Sequence, residues 1–363
     1  MQRPLLVVFA LALVVAACGG ADAATTTVPP TEAPTATEAP AASTTTTTVA
    51  PVSTPPLTTT TTLPSTTSPL NGVEVTNEAL LDRRVVAVKV DNHWDARPQS
   101  GLAAADAVYE LLVEGGLTRF IALFHQSDSS YLGPNRSGRP TDPTLVAPLD
   151  ATFVISGAQS WVQSRIRSFD VSLIGEEPPA SFRIPERSAP HNLYVDTTLH
   201  RELADQRGYD DVAPAPLFSF GQHQGTSTAT AVTLEWSDDM DDVTWHFDGS
   251  GYLRYNGTSP HREVAQQGAA ETTVKAETLV ILFADQYSAC PSAGQEGSCV
   301  PSMDTVGSGR AIVVHNGGAA EGTWSRDDAS APFTLTKDDG ETLFVPAGKL
   351  WISIFPNGRT VSW

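Results

Sequence analysis

The chain has 363 residues, 40% of them hydrophobic, and carries a formal net charge of −19 with an isoelectric point near 4.7. An acidic balance this strong lacks the basic surface that phosphate backbones require, which excludes nucleic acid as a partner. The length allows two domains of ordinary size, provided most of the chain can fold.

The first residues do not read as part of a fold. Met1 to Ala17 holds Arg3 and an apolar stretch from Leu5 to Ala16, too short to cross a hydrocarbon core of about 30 Å, so residues 1–17 are expected to be a signal peptide. Val15-Ala16-Ala17-Cys18 fits a lipobox, in which the Cys18 thiol takes a diacylglyceryl group and becomes the mature N-terminus. The alternative is a plain secretory signal with a chance cysteine. Lipidation would hold the protein at the outer face of the cell membrane. Residues 18–70 then form the lipidated cysteine and a disordered Thr/Pro-rich tether, because Ala21 to Ser68 has almost no large apolar side chain to offset ordering entropy.

Two folded parts follow. Over residues 71–222, Val85 to Val90 is a Val-rich run suited to a buried strand. Ser100 is placed to cap a short helix over Gly101 to Asp106. Val108 to Val113 and Leu117 to Phe124 flank Glu114-Gly115-Gly116 and predict a hairpin, with a single helix through Tyr109 to Gly115 as the rival. Ala151 to Ser156 predicts a strand and Gln159 to Ser168 a helix, and Asp196-Thr197 opens a helix that Gly208 closes. Over residues 223–363 the pattern is nearly all strand. VTWHF and YLRY are joined by Asp248-Gly249-Ser250-Gly251, AIVVH precedes Asn316-Gly317-Gly318, and Asp339-Gly340 sits before TLFV. The expected class is α+β: an α/β-like N-terminal domain, then a mostly β domain built as a small sandwich or barrel.

Cys290 and Cys299 lie in a Gly/Pro loop with no further Cys or His at ligand spacing, so a disulfide is expected rather than a metal site. Twelve of the eighteen arginines fall between Arg83 and Arg207. The candidate binding residues follow predicted strands or sit in Gly/Pro loops: Asn92, His93, Arg97, Gln99, Ser100, Arg119, Arg136, Ser137, Arg139, His191 and Asn192. Guanidinium groups beside amide and hydroxyl donors suit a carboxylate or phosphate. The competing reading pairs the arginines with Asp91, Asp106, Glu110 and Glu114 in a structural network.

Catalytic and metal patterns are thinner. A triad drawn from Ser100 or Ser137, His93 or His191, and Asp91 has no nucleophile elbow, and Asp91, His93 and His191 show no ligand spacing of a known motif. No catalytic residue, metal or cofactor is therefore assigned. The acidic run Ser237 to Asp242 lacks the Gly and distal Glu of a calcium loop. Trp324, Trp351 and Trp363 are expected in a β core more than on a sugar-stacking surface.

The stretches VDNHWDARPQSGLAAADAVYELLVEGGLTRFIALF, LGPNRSGRP, PHNLYVD, DTVGSGRAIVVHNGGAAEGTW and LFVPAGKLWISIFP resemble the YerB-type lipoproteins. In that bacterial family the paired N- and C-terminal domains are both of unknown function. The resemblance takes in nearly all of Gly72 to Trp363; the departures are Asn135 and Gly138, where relatives tend to carry an apolar residue and Ala. It implies a lipoprotein without a settled activity. Two functions stand: a non-catalytic module that binds an anionic cell-wall polymer, a peptidoglycan stem peptide or an envelope protein, and an envelope hydrolase or transferase using His93 or His191 as acid or base.

Overall fold

The computed structural model describes residues 67–363; the expected signal peptide, the Cys18 lipid anchor and the tether through residue 66 lie outside them. The last tether residues belong to the fold, since Ser68 and Leu70 are buried and Ser68 pairs by backbone with Gly72 and Val73.

Long apolar runs such as Val86–Asp91, Thr278–Ala284 and Leu350–Pro356 make strands buried on both faces, and with shorter or more polar strands beside them they build one mixed sheet of ten strands along its main path. They are β1 (Val86–Asp91), β2 (Ala107–Leu112), β3 (Thr118–Phe124), β4 (Thr152–Val154), β5 (Ser172–Ile174), β6 (Thr278–Ala284), β7 (Gly307–His315), β8 (Gly318–Arg326), β9 (Thr334–Thr336) and β10 (Leu350–Pro356). Their order across the sheet is β9-β8-β7-β6-β10-β2-β3-β1-β4-β5, with the short strand Ser227–Thr228 paired to β8. Pairing is parallel at β6–β10, β10–β2, β1–β4 and β4–β5, and antiparallel elsewhere along this path.

Alternate residues of these strands feed two cores. One face carries Ala87, Tyr109, Leu111, Ile121 and Ile352 and is covered by the short helices α1 (Asp142–Val146) and α2 (Ser160–Arg167). The other carries Val88, Val108, Phe120, Ile281 and Trp351 and is covered by a second sheet that includes Ala231–Leu234, Val243–Phe247 and Tyr252–Asn256. A third helix, α3 (Thr197–Gln206), starts at Asp196, whose carboxylate accepts the backbone N–H groups of Thr198 and Leu199 as a cap should.

Several local expectations match the structure. β2 and β3 form the expected hairpin through Gly115 and Gly116, both at φ +68°, which removes the rival helix. VTWHF pairs with YLRY, and Asn316-Gly317 turns β7 into β8. Trp324 and Trp351 are core residues at 2% and 1% exposure.

Other expectations need correction. The molecule is mostly β, which the expected α/β-like N-terminal domain understated: the three α-helices of that half have 5, 8 and 10 residues, while strands supply its framework. Ser100 caps nothing; Gly101, at φ +76°, starts the 3-10 turn Leu102–Ala104, and Ser100 instead pairs by backbone with Gly133 and Val264. The strands from Thr278 onward do not close a sandwich of their own, because β10 inserts between β6 and β2 of the shared sheet.

Candidate functional site

Because successive residues of a strand face opposite ways, the pleat sorts the polar side chains at the β1–β3 end into two groups. Lys89, Asp91 and Arg119 lie on the helix-covered side, while Glu110 and Thr118 face the second sheet.

Asp91 is the hub of the first group. It ends β1 opposite Arg119 in the β1–β3 register and is 3% exposed. Its Oδ2 lies 2.8 Å from His191 Nδ1 and 3.1 Å from Arg136 Nε; its Oδ1 lies 3.9 Å from Arg119 Nε. Arg136 Nε is not aligned for a hydrogen bond despite that distance. The loop LGPNRSGRP is held along β1 by backbone bonds from Asp91 to Pro134 and from Arg136 to Lys89, and the Asn135 amide donates to the carbonyls of Lys89 and Val154. That fixes where Arg136 projects. Arg119 donates to the Ser137 carbonyl at 2.9 Å, and burial, with Arg139 and Arg136 nearby, pulls its guanidinium down to about 10.

Arg139 has its own partner, donating twice to Glu114 Oε2 at 2.9 and 2.6 Å. Beneath these groups Lys89 Nζ meets Asp142 Oδ1 at 2.6 Å with both side chains fully buried, and desolvation lowers the lysine to about 8. The Asp142 Oδ2 accepts the backbone N–H of Arg139.

The second group closes a ring of hydrogen bonds. Asn92 Nδ2 donates to Thr118 Oγ1, Thr118 donates to Glu110 Oε1, and Arg254 donates to the same oxygen at 2.6 Å. Arg254 also meets Nδ1 of His261; since guanidinium can only donate, Nδ1 accepts and Nε2–H donates to Gln99 Oε1. Gln99 Nε2 returns to Asn92 Oδ1 at 3.1 Å, and Trp351 Nε1 donates to Glu110 Oε2. Arg97 joins through Asn92 Oδ1 and its carbonyl, and burial, then Arg254, lowers Arg97 to about 10. A cavity of about 30 Å³ bordered by Asn92, Arg97, Thr118, Trp236 and Asp241 has room only for a water-sized occupant.

The sequence candidates therefore divide. Arg119, Arg136 and His191 meet at Asp91, with Arg139 beside them. Asn92, Arg97 and Gln99 belong to the buried ring. His93 stacks on His191 with centroids 4.8 Å apart. Ser137 contributes its carbonyl to Arg119 and Arg139, Ser100 is buried, and Asn192 accepts from Arg183. Sequence reasoning missed Lys89, Asp142, Arg254 and His261. Only Lys89 had a signal, a cation inside an otherwise apolar run; the others reach the site by long-range pairing. Cys290 and Cys299 are joined in a disulfide.

Residues 70–210 match the family described as "Protein of unknown function (DUF3048) N-terminal domain", and residues 232–352 its C-terminal counterpart. The chain is 28% identical over 303 residues to "Putative lipoprotein YerB" of Bacillus subtilis (strain 168), covering 80% of this chain and 86% of that one. The crystal structure of Bacillus subtilis YerB is similar with a TM-score of 0.69 at 26% identity, over 82% of this chain and 99% of the other.

Proposed function

Since this chain belongs to the DUF3048 family, whose two domains carry no assigned activity, we propose a role from its site: an exported lipoprotein, tethered at the outer face of the cell membrane through Cys18, that binds an anionic ligand of the envelope without transforming it. A cell-wall polymer, a stem peptide or the carboxylates of an envelope protein all offer that chemistry. The observation that carries the reading is that two guanidinium groups and one imidazole share the single carboxylate of Asp91. Lys89 and Arg139 already have Asp142 and Glu114, so the surplus charge is at Arg119 and Arg136. At an effective dielectric near 20, like charges a few ångströms apart repel by on the order of kcal/mol per pair, and a bound phosphate or carboxylate relieves it.

The hydrolase reading has one supporting contact, the Asp91–His191 pair, which orients an imidazole as a base is oriented. Among the described residues, however, no hydroxyl or thiol hydrogen-bonds His93 or His191, so a nucleophile is missing from the arrangement.

Arg136 is the better probe because its side chain is 22% exposed. Arg136→Ala should weaken binding of phosphate or citrate, measured by calorimetry in EDTA, at least tenfold while leaving the melting temperature nearly unchanged. Wild-type protein that takes up neither anion saturably, or a variant that binds like wild type, rejects the proposal.

A further inference from the structure

His93 and His191 stack with ring planes 18° from parallel, and with Asp95 they place one ligand atom each within 4.8 Å of the others. We propose that this trio seats a divalent transition-metal ion of the zinc class. Two ligand atoms, each about 2.1 Å from a tetrahedral ion, lie roughly 3.4 Å apart; Nδ1 of His93 already lies 3.5 Å from Asp95 Oδ2. On that nitrogen the ion would displace only a 3.2 Å bond from the Asp95 backbone N–H.

The third ligand is prepared by its neighbour. Asp91 holds Nδ1 of His191 at 2.8 Å, and since a carboxylate only accepts, the neutral ring carries its proton there and leaves the Nε2 lone pair free. Carboxylate–histidine–metal sites are built this way, with the outer carboxylate fixing tautomer and ring orientation. Arg119 and Arg136 repel a cation, but Asp91 and Asp95 offset them, so the ion enters a formally neutral surrounding. Two imidazoles and one carboxylate suit zinc better than magnesium or calcium, which take oxygen ligands. Three protein ligands leave a fourth position open to solvent, since the Asp95 side chain is 65% exposed. The inference rests on the anion-binding reading only for the ion's role, which is to add positive charge beside the arginines; its seat is argued independently.

The test is titration of the untagged full chain, stripped with EDTA and dialysed, with zinc chloride in phosphate-free buffer at neutral pH. One saturable equivalent is expected. His93→Ala and His191→Ala should each weaken it at least tenfold, and Asp91→Asn should weaken it with both histidines intact. A wild-type titration with no saturable equivalent, or histidine variants that bind as wild type does, overturns the metal site. The two readings fail separately: anion uptake in EDTA without a zinc equivalent removes the metal alone, and zinc uptake without anion binding removes the anion role alone.

Discussion

At the scale of single residues, burial holds the His261 imidazole well below its ordinary range, first by desolvation and then through Arg254 and Arg97. The unfolded chain takes up a proton at that histidine near pH 6.5, whereas the folded chain resists until far lower. Between those points the unfolded state binds more protons, so stability is full above about pH 6.5 and falls as the solution is acidified. His200, lowered to about 4 by burial and then Arg207, acts in the same direction. Each such group contributes a slope of about 1.4 kcal/mol per pH unit within its window. The melting temperature of wild type should be level between about pH 6.5 and 7.5 and drop from pH 6.5 to 5. His261→Gln should start lower at pH 7.5, because it disturbs the ring, but show a shallower acid slope; parallel slopes would show that His261 is not a source of acid sensitivity. None of this was visible in the residues themselves. In the sequence Glu110 was one of several carboxylates that could pair with nearby arginines, and only the pleat and the second sheet bring Arg254 and His261 to it.

Elements were readable where their cause is local. The Gly115-Gly116 and Asn316-Gly317 turns and the Asp196 cap depend on neighbours in sequence, and these were found. Ser100 failed because its partners, Gly133 and Val264, are remote, and no capping rule anticipates them. The strand pair Gln286–Ala289 and Val300–Met303 shows a local element put to a long-range use: Cys290 and Cys299 close it nine residues apart, and Ser302 and Met303 bond to Thr141 next to α1. Closing a loop of that size contributes about 2.7 kcal/mol in the chain-entropy model. Replacing both cysteines with serine should therefore lower the unfolding free energy by up to about that amount in a urea titration. Unchanged stability would place the pair outside the cooperative unit.

For the molecule as a whole, the sequence suggested two parts in series, yet their strands share one sheet. β10 makes the join: Leu350, Trp351, Ile352, Ile354 and Phe355 are each at most 1% exposed. At roughly 1.5–3 kcal/mol for each large apolar side chain, their burial rivals the 5–15 kcal/mol of a typical domain. Ending the chain at residue 349 should abolish cooperative thermal unfolding, and a sharp transition in that truncation would show that the earlier strands fold without β10. Deleting residues 21–66, by contrast, should leave the melting temperature within about 2 °C, since that composition offers no core; the cut must spare Ser68 and Leu70, which do pack. The position of β10 also sets a clock. The strand that completes the middle of the sheet is made after both of its neighbours, so β2 and β6 each wait with an open edge until residue 356 has emerged. A chain wired this way can be threaded through a narrow channel before it closes, and its connectivity alone delays the moment at which it becomes too bulky to pass.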